Sequence, residues 1–258
     1  YTELDNVVLK PSAELKESTT FAGTLRYTGD RVSQQVGGTR SWMADNIGGR
    51  LSVQLTNLGN REEIDIERRT PAGVLFVAGD QFSQDQLVEV LVSGSLNWRA
   101  SPRDTVNLTG KIMPRLFNVQ SGLELRAPNE VVRASDDYEE KDIWHFELGG
   151  DYEHRFSPES ALKLISVNRL VTWRPQDLFT QQATGGPIEQ TRTNTELDAG
   201  EHVLRGVWTQ KTHENNTLEF GLEGAFNYRH QERDFAFSSA GGPFTPITLP
   251  LSSVEVEE

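Results

Sequence analysis

The chain has 258 residues, no cysteine among them, and a formal net charge of −13 at pH 7. The lack of cysteine excludes disulfide bonds and thiolate metal sites within these residues. The negative charge argues against a general affinity for nucleic acid or anionic lipid. No stretch approaches the roughly 20 apolar residues of a membrane helix, which excludes helical spanning but leaves open a membrane barrel, whose alternate residues face water.

The two ends of the chain carry a first expectation. Residues 1–10 have neither the basic region nor the apolar region of a signal peptide. An outer-membrane protein needs such a peptide, so we expect either that it was removed or that the chain is an internal piece of a longer protein. The acidic last residues, SSVEVEE, favour the second possibility, since complete bacterial barrels generally end on an aromatic residue.

Strict alternation of apolar and polar residues is common along the chain, whereas helical periodicity is scarce. In residues 217–229, for example, Leu218 and Phe220 alternate with Glu219 and Gly221. Because successive side chains of a strand point to opposite faces, the pattern predicts strands with one apolar and one polar face. It recurs in residues 20–28, 50–55, 90–98, 105–112 and 143–152. We expect about nine or ten strands and an all-β antiparallel fold.

Short turns join these strands in pairs. Their sequences are ADN at 44–46, SPRD at 101–104, SPES at 157–160 and HENN at 213–216. Successive turns are evenly spaced: Asn46 and Pro102 are 56 residues apart, Pro102 and Pro158 are 56 apart, and Pro158 and Asn215 are 57 apart. Longer polar connections are predicted at residues 68–84, 127–142, 183–195 and 238–253. Tight turns at one end and long loops at the other are typical of a membrane barrel, with periplasmic turns and extracellular loops.

The strands show two further features. Residues 49–69 and 105–126 are predicted to be long strands whose polar, charged upper halves project above the bilayer as an extracellular collar. Residues 162–173 mix the two faces, and we expect a β-bulge to restore the alternation there. Residues 203–209 are also two-sided. These segments argue against a purely lipid-facing exterior.

An aromatic residue precedes each short turn. These rings are predicted to form a girdle at one membrane interface, where amphipathic rings prefer to sit. The competing interpretation is ordinary edge packing in a soluble sheet. The predicted girdle consists of Trp42, Trp98, Tyr152, Phe156 and Trp208.

The sequence NVVLKPS at residues 6–12 resembles the passage from plug to first barrel strand in TonB-dependent outer-membrane receptors. The segment LNWRASPRD at 96–104 is similar to that family's strand, periplasmic turn and next strand. The resemblance implies a transmembrane β-barrel of 22 strands, of which this chain would supply a part. Residues 1–18 would then be the plug-to-barrel junction, and residues 19–258 a partial barrel with long extracellular loops.

The implied function is that of the complete receptor in the Gram-negative outer membrane: TonB-dependent uptake of a ferric siderophore, haem, cobalamin or oligosaccharide. The implied partners are the lipid bilayer, lipopolysaccharide, the ligand, and TonB through a region that this sequence lacks; no nucleic acid is expected. A porin-like channel, a barrel enzyme and, with less support, a soluble all-β binding module are also compatible with the strand pattern. A detergent requirement would separate the membrane proteins from the soluble module.

Residues that could carry chemistry give weak signals. No histidine has the spacing of HExxH, and no serine lies in GxSxG, so we expect neither an enzyme nor a bound cofactor or metal. The acidic run at 136–140 is interpreted as a solvated loop. Five arginines near the predicted loop-side strand ends are candidates for an anionic ligand or a lipopolysaccharide phosphate, although pairing with neighbouring acids is the simpler interpretation. They are Arg68, Arg69, Arg115, Arg126 and Arg133.

Overall fold

A computed structural model describes residues 17–28, 31–127, 130–213, 216–249 and 252–257. These residues form one antiparallel sheet of 11 strands. The strands are β1 (Glu17–Thr28), β2 (Arg31–Met43), β3 (Ile47–Arg69), β4 (Leu75–Arg99), β5 (Asp104–Ala127), β6 (Glu130–Ser157), β7 (Ser160–Ala183), β8 (Ile188–His213), β9 (Asn216–Ser239), β10 (Thr245–Pro246) and β11 (Ser253–Glu257). None of the described residues belongs to a helix long and apolar enough to cross a membrane. The all-β antiparallel prediction is confirmed, and the two short last strands explain why the count exceeds nine or ten.

The sheet is a meander, because each strand from β1 to β10 pairs with the next one along the chain. The last strand, β11, pairs with β9 as β10 does. Among the described residues the sheet is open, with β1 at one edge and β9 to β11 at the other. Closure into a barrel therefore stays a prediction.

Three of the short turns fall where the sequence predicts them, between β2 and β3, β4 and β5, and β6 and β7. At the predicted HENN turn, residues 214–215 lie outside the described residues, between the paired ends of β8 and β9. We call the edge of the sheet that carries them the turn end, and the opposite edge the loop end. Two of the predicted long connections are short: β3 and β4 are separated by residues 70–74, and β7 and β8 by residues 184–187. The strands continue through the polar residues instead, because neighbouring strands pair their backbone groups along the whole length. The acidic run predicted as a loop at 136–140 lies within β6.

The sheet has a single layer. The accessible surface of the chain is 18346 Å², whereas a compact protein of this size exposes about 11,000 Å². No large side chain among the described residues is fully buried. Among the described residues, neither face of this sheet is therefore covered by a second layer of protein.

One face of the sheet is more buried than the other. Most of the buried residues point to one side, as register and alternation place them: Ser33, Thr56, Glu89, Met113, Thr195, Leu197 and Val207. The other two, Ala236 and Ser238, lie beside β10 and the segment before it. Because no second layer of described residues covers this more buried face, its burial indicates that the sheet curves toward that side.

The bulge predicted in residues 162–173 is absent, and this prediction is wrong. The register of β7 with β6 runs unbroken from Ala161 to Ala183. The irregularities of the long-strand pairs lie near strand ends, for example between Arg155 and Ser157. The two-sided pattern of β7 is therefore a property of the surface and not a shift of phase. Residues 1–16, which hold most of the predicted plug-to-barrel junction, lie outside the described residues.

Candidate functional site

The less buried face of the sheet carries an apolar band across its turn-side half. Register partners share a face, and one row of them runs across five strands without a polar residue. This row is Val53, Val92, Ile112, Phe146 and Leu170. The side chains are solvent-accessible, with Phe146 41% exposed and Leu148, two residues away, 46% exposed. We call this side of the sheet the apolar face.

The height of the apolar band can be estimated along β4. Its apolar-face residues from Val90 to Trp98 include no polar side chain. Nine residues at about 3.4 Å each extend about 30 Å. A strand tilt of about 40° would reduce this to about 23 Å, close to the apolar band of about 25 Å in outer-membrane barrels.

The five predicted girdle residues lie near the turn end. Trp98 and Tyr152 share one register row through Val106, and Trp208 lies opposite Leu162, nearer the turns. The polar atoms of two rings bond to side chains at the turn end. Tyr152 Oη donates to Asp104 Oδ1 at 2.7 Å, and Trp208 Nε1 donates to Ser160 Oγ at 3.0 Å.

The other two girdle rings also lie near the turn end. Trp42 stacks above Gly49, where a Cβ atom would collide with the indole. Phe156 lies at the register irregularity before the β6–β7 turn and is 53% exposed. Tyr152 and Trp208, whose rings lie on the band and whose polar atoms bond toward its edge, have the arrangement expected at a membrane interface.

The opposite side, which we call the ionic face, carries charges behind the apolar band. Four register partners alternate in sign across β5 to β8: Lys111, Glu147, Arg169 and Glu201. Lys111 Nζ lies 3.2 Å and Arg169 Nε 3.9 Å from Glu147 Oε1. At one height, therefore, one face suits hydrocarbon and the other suits water.

The loop-side half of the sheet is polar on both faces. On the ionic face Glu139 is the register partner of Asp177, and Asp137 lies two residues from Glu139. Partial burial, and then the hydrogen bond and charge of Asp137, raise the pKa of Asp177 to about 6. Like charges directly opposite each other destabilise a sheet, so these carboxylates make the local stability depend on pH.

A hydrogen-bonded cluster secures one turn. Asp104 accepts a bond from Tyr152 Oη, interacts with His154 Nδ1 at 2.7 Å, and also contacts the Ser101 hydroxyl. The hydrogen bond with His154, followed by those with Ser101 and Tyr152, holds the pKa of Asp104 well below its usual range. Asp104 therefore stays ionised and anchors the SPRD turn at ordinary pH.

The five candidate arginines do not form one cluster. Arg69 and Arg126 pair with acids on their own strands, Glu67 and Glu124. Arg68 lies at the end of β3, and its register partner there is Val77.

The remaining two candidate arginines lie at different heights. Arg133, near the start of β6, donates to Gln181 at 3.3 Å. Arg115 lies at mid-strand on the ionic face, where its Nε is 2.5 Å from Glu89 Oε2. Pairing with nearby acids accounts for three of the five, and no common anion site results.

The apolar face has a polar interruption that the sequence did not locate. Ser166, Asn168 and His202 lie on this face of β7 and β8, within the apolar band. The two-sided alternation of β7 and β8 was its signal in the sequence. At the β1–β2 edge a second interruption is neutralised, because Arg40 Nη2 lies 3.0 Å from Glu17 Oε2.

No group of three or more histidine, aspartate or glutamate side chains within the described ranges is placed to hold a metal ion. Comparison with known proteins found no matching family model, no matching curated protein and no matching solved structure. The functional argument therefore depends on the surface of the sheet itself.

Proposed function

We propose that this sheet is part of the wall of a Gram-negative outer-membrane β-barrel, and that the barrel belongs to a TonB-dependent receptor. The observation that carries the proposal is the contrast between the faces at one height. Phe146 belongs to an exposed apolar row, while the next residue along β6, Glu147, belongs to a row of alternating charges. In such a wall the apolar face contacts lipid and the ionic face lines an aqueous interior.

The architecture supports a barrel over other membrane structures. Within a bilayer every backbone polar group must be paired inside the protein, and a meander of antiparallel strands does this when it closes. The curvature toward the ionic face has the sense that such closure needs. Further strands would pair with the open edges at β1 and β9.

The proposal of a receptor is supported by strand length and by the resemblance at residues 6–12. Crossing a bilayer takes about 9–11 residues of a tilted strand, whereas β6 has 28 residues and β8 has 26. Most of each long strand would therefore extend beyond the bilayer on the loop side. A tall extracellular collar suits a protein that captures a scarce ligand outside the cell before taking it up through TonB.

A porin-like channel or a barrel enzyme would present the same band and is the second candidate. A soluble module is disfavoured by the uncovered apolar face, since monomeric soluble proteins rarely expose apolar patches above a few hundred Å².

Single-tryptophan variants test the membrane proposal. Trp144 lies on the apolar face, and Trp173, the register partner of Ile143, lies at nearly the same height on the ionic face. In bilayers with brominated acyl chains, we expect the variant retaining only Trp144 to be quenched several-fold more than the variant retaining only Trp173. Equal quenching of both, or a monodisperse monomer without detergent, would refute it.

Growth experiments test the receptor proposal separately. A strain lacking the gene should fail on one single source of ferric siderophore, haem, cobalamin or oligosaccharide, and the intact gene should restore growth only when TonB is functional. Restoration without TonB would favour the porin-like channel.

A further inference from the structure

The polar interruption of the apolar face lies midway across the band. Leu148, the register partner of Asn168, is four residues from Tyr152 and four from Trp144 along β6. Asn168 in turn is the register partner of His202 on β8. If the band spans a bilayer, these side chains lie near its midplane, where uncompensated polar groups are costly.

The three polar side chains satisfy one another only in part. The Asn168 amide nitrogen donates to Ser166 Oγ at 3.1 Å and to the Leu148 carbonyl oxygen at 3.4 Å. The Asn168 Oδ1 atom then faces His202 Nδ1 at 2.9 Å, so Nδ1 carries the proton of that bond. In the neutral ring Nε2 is therefore an acceptor, and neither it nor the Ser166 hydroxyl proton has a partner among the described residues.

Lipid cannot supply the missing hydrogen-bond partners of His202 Nε2 and the Ser166 hydroxyl. Acyl chains at the midplane carry neither donors nor acceptors, and lipid headgroups lie at the edges of the band. A protein surface with one donor and one acceptor, in the same spacing and reversed order, would satisfy both groups. The same patch on a second copy of the chain has this property, because a twofold axis places each Ser166 opposite the other copy's His202.

The shape of the surface is also self-complementary. A groove of about 290 Å³ has Gly150 and Ser166 on its floor, between the side chains of Leu148 and Leu164. Beside it stands Leu204, which is the register partner of Ser166 and is 62% exposed. In a twofold arrangement whose axis passes beside Leu204, the Leu204 side chains of the two copies pack against each other next to the grooves, which would place apolar contacts around the two hydrogen bonds.

We propose that the patch of Ser166, Asn168 and His202 is the centre of a homodimer contact within the membrane, with Ser166 of each copy donating to His202 Nε2 of the other. This inference rests on the proposed membrane location. Small and polar residues are the usual material of such contacts in lipid.

Cysteine cross-linking tests the contact in membranes. The chain contains no native cysteine, so Leu204→Cys introduces a single thiol beside the twofold axis. Leu51→Cys is the matched control, since Leu51 lies on the apolar face of β3 and is 48% exposed. Under mild oxidation of the full-length protein in vesicles, we expect a disulfide-linked dimer from Leu204→Cys and at least about tenfold less from Leu51→Cys. Equal or absent cross-linking of both would overturn the proposal.

Hydrogen-bond variants test the chemistry of the contact. His202→Leu and Ser166→Ala each remove both symmetric bonds, and we expect each to weaken self-association about tenfold. Mixing differently tagged His202→Leu and Ser166→Ala chains leaves one intact Ser166-to-His202 bond, so the heterodimer should exceed either homodimer. Absence of this preference, with both variants shown to be folded by heat-modifiable gel mobility, would overturn the proposal.

The two proposals fail in distinguishable ways. If Trp144 is quenched by brominated lipid but Leu204→Cys gives no dimer, the membrane wall stands and the dimer contact is refuted. If Trp144 is not quenched, the membrane location is refuted, and the dimer contact with it.

Discussion

The turn-side and loop-side halves of one strand, β6, have nearly equal exposure and opposite chemistry. On the apolar face, Leu148 in the turn-side half is 46% exposed and Tyr138 in the loop-side half is 43% exposed. Along β6, Phe146 and Gly150 flank Leu148 on that face, whereas Asp136 and Glu140 flank Tyr138. If both halves of β6 were in water, equally exposed positions would be expected to have similar polarity. The change from apolar to polar residues along the strand is therefore explained by different surroundings for its two halves.

The largest expected effect comes from a charge placed in each half. Leu148→Arg puts a guanidinium near the midplane of the proposed bilayer, where arginine costs about 2–4 kcal/mol. Tyr138→Arg is the matched control on the same strand and face, and we expect it to change stability by less than about 0.5 kcal/mol. Urea unfolding from lipid vesicles measures both. Similar small losses for the two variants would indicate that the turn-side half is in water.

A smaller effect is expected from filling the space above two glycines. A Cβ at Gly150, in the turn-side half, would meet the Asn107 backbone oxygen at 2.6 Å, and backbone cannot move aside. A Cβ at Gly122, in the loop-side half, would collide with the Phe82 ring, but that ring can turn toward solvent. We expect Gly150→Ala to cost about 1–3 kcal/mol and Gly122→Ala less than about 1 kcal/mol. The same unfolding assay measures both, and a reversed order would contradict this difference.

The smallest effect concerns the carboxylates of the loop-side half. Because the pKa of Asp177 is raised to about 6, the folded protein keeps this proton up to about pH 6, whereas the unfolded chain releases it near the ordinary pKa of 3.8. Stability should therefore fall as the pH rises from about 4 to about 6 and should level off above that. Because Asp177 is only partly buried and solvent screens its interactions, the expected loss is about 1 kcal/mol.

Asp177→Asn should remove this pH dependence and stabilise the loop-side half above pH 6, as measured by hydrogen exchange of the β6 and β7 amides. Glu147→Gln, in the paired row of the turn-side half, is the control and should leave the profile of the loop-side half unchanged between about pH 4 and 6. A wild-type profile flat over this range would contradict the assignment to Asp177.

The strands and their tight turns could be predicted because both depend on local sequence. Alternation reports the two faces of a strand, and SPRD and SPES carry the residues that turns need. The predicted long connections were largely wrong, because residues such as Asp137 and Glu139 have poor strand propensity and yet pair along their neighbours. Backbone pairing between adjacent long strands outweighs that propensity.

Only those parts of the candidate site that depend on the sequence of a single strand could be predicted. The positions of Trp98 and Trp208 before the turns follow from the sequence order, and the structure places both near the turn end. The pairing of Ser166 with Leu204, and of Asn168 with His202, needs the register of two strands whose paired residues are more than 30 positions apart. A mixed alternation marks the anomaly in β7 without indicating which residues on β8 complete it.

The consecutive strand order has a consequence for how the molecule is built. Strong contacts among the described strands occur only between neighbours in sequence, apart from the pairing of β11 with β9. Each hairpin can therefore form on the template of the one before it, as in repeat proteins whose stability is a sum over nearest neighbours. The sheet would assemble strand by strand from any starting hairpin. A disruptive substitution in one strand would stop further pairing at that strand and would leave the hairpins already formed intact.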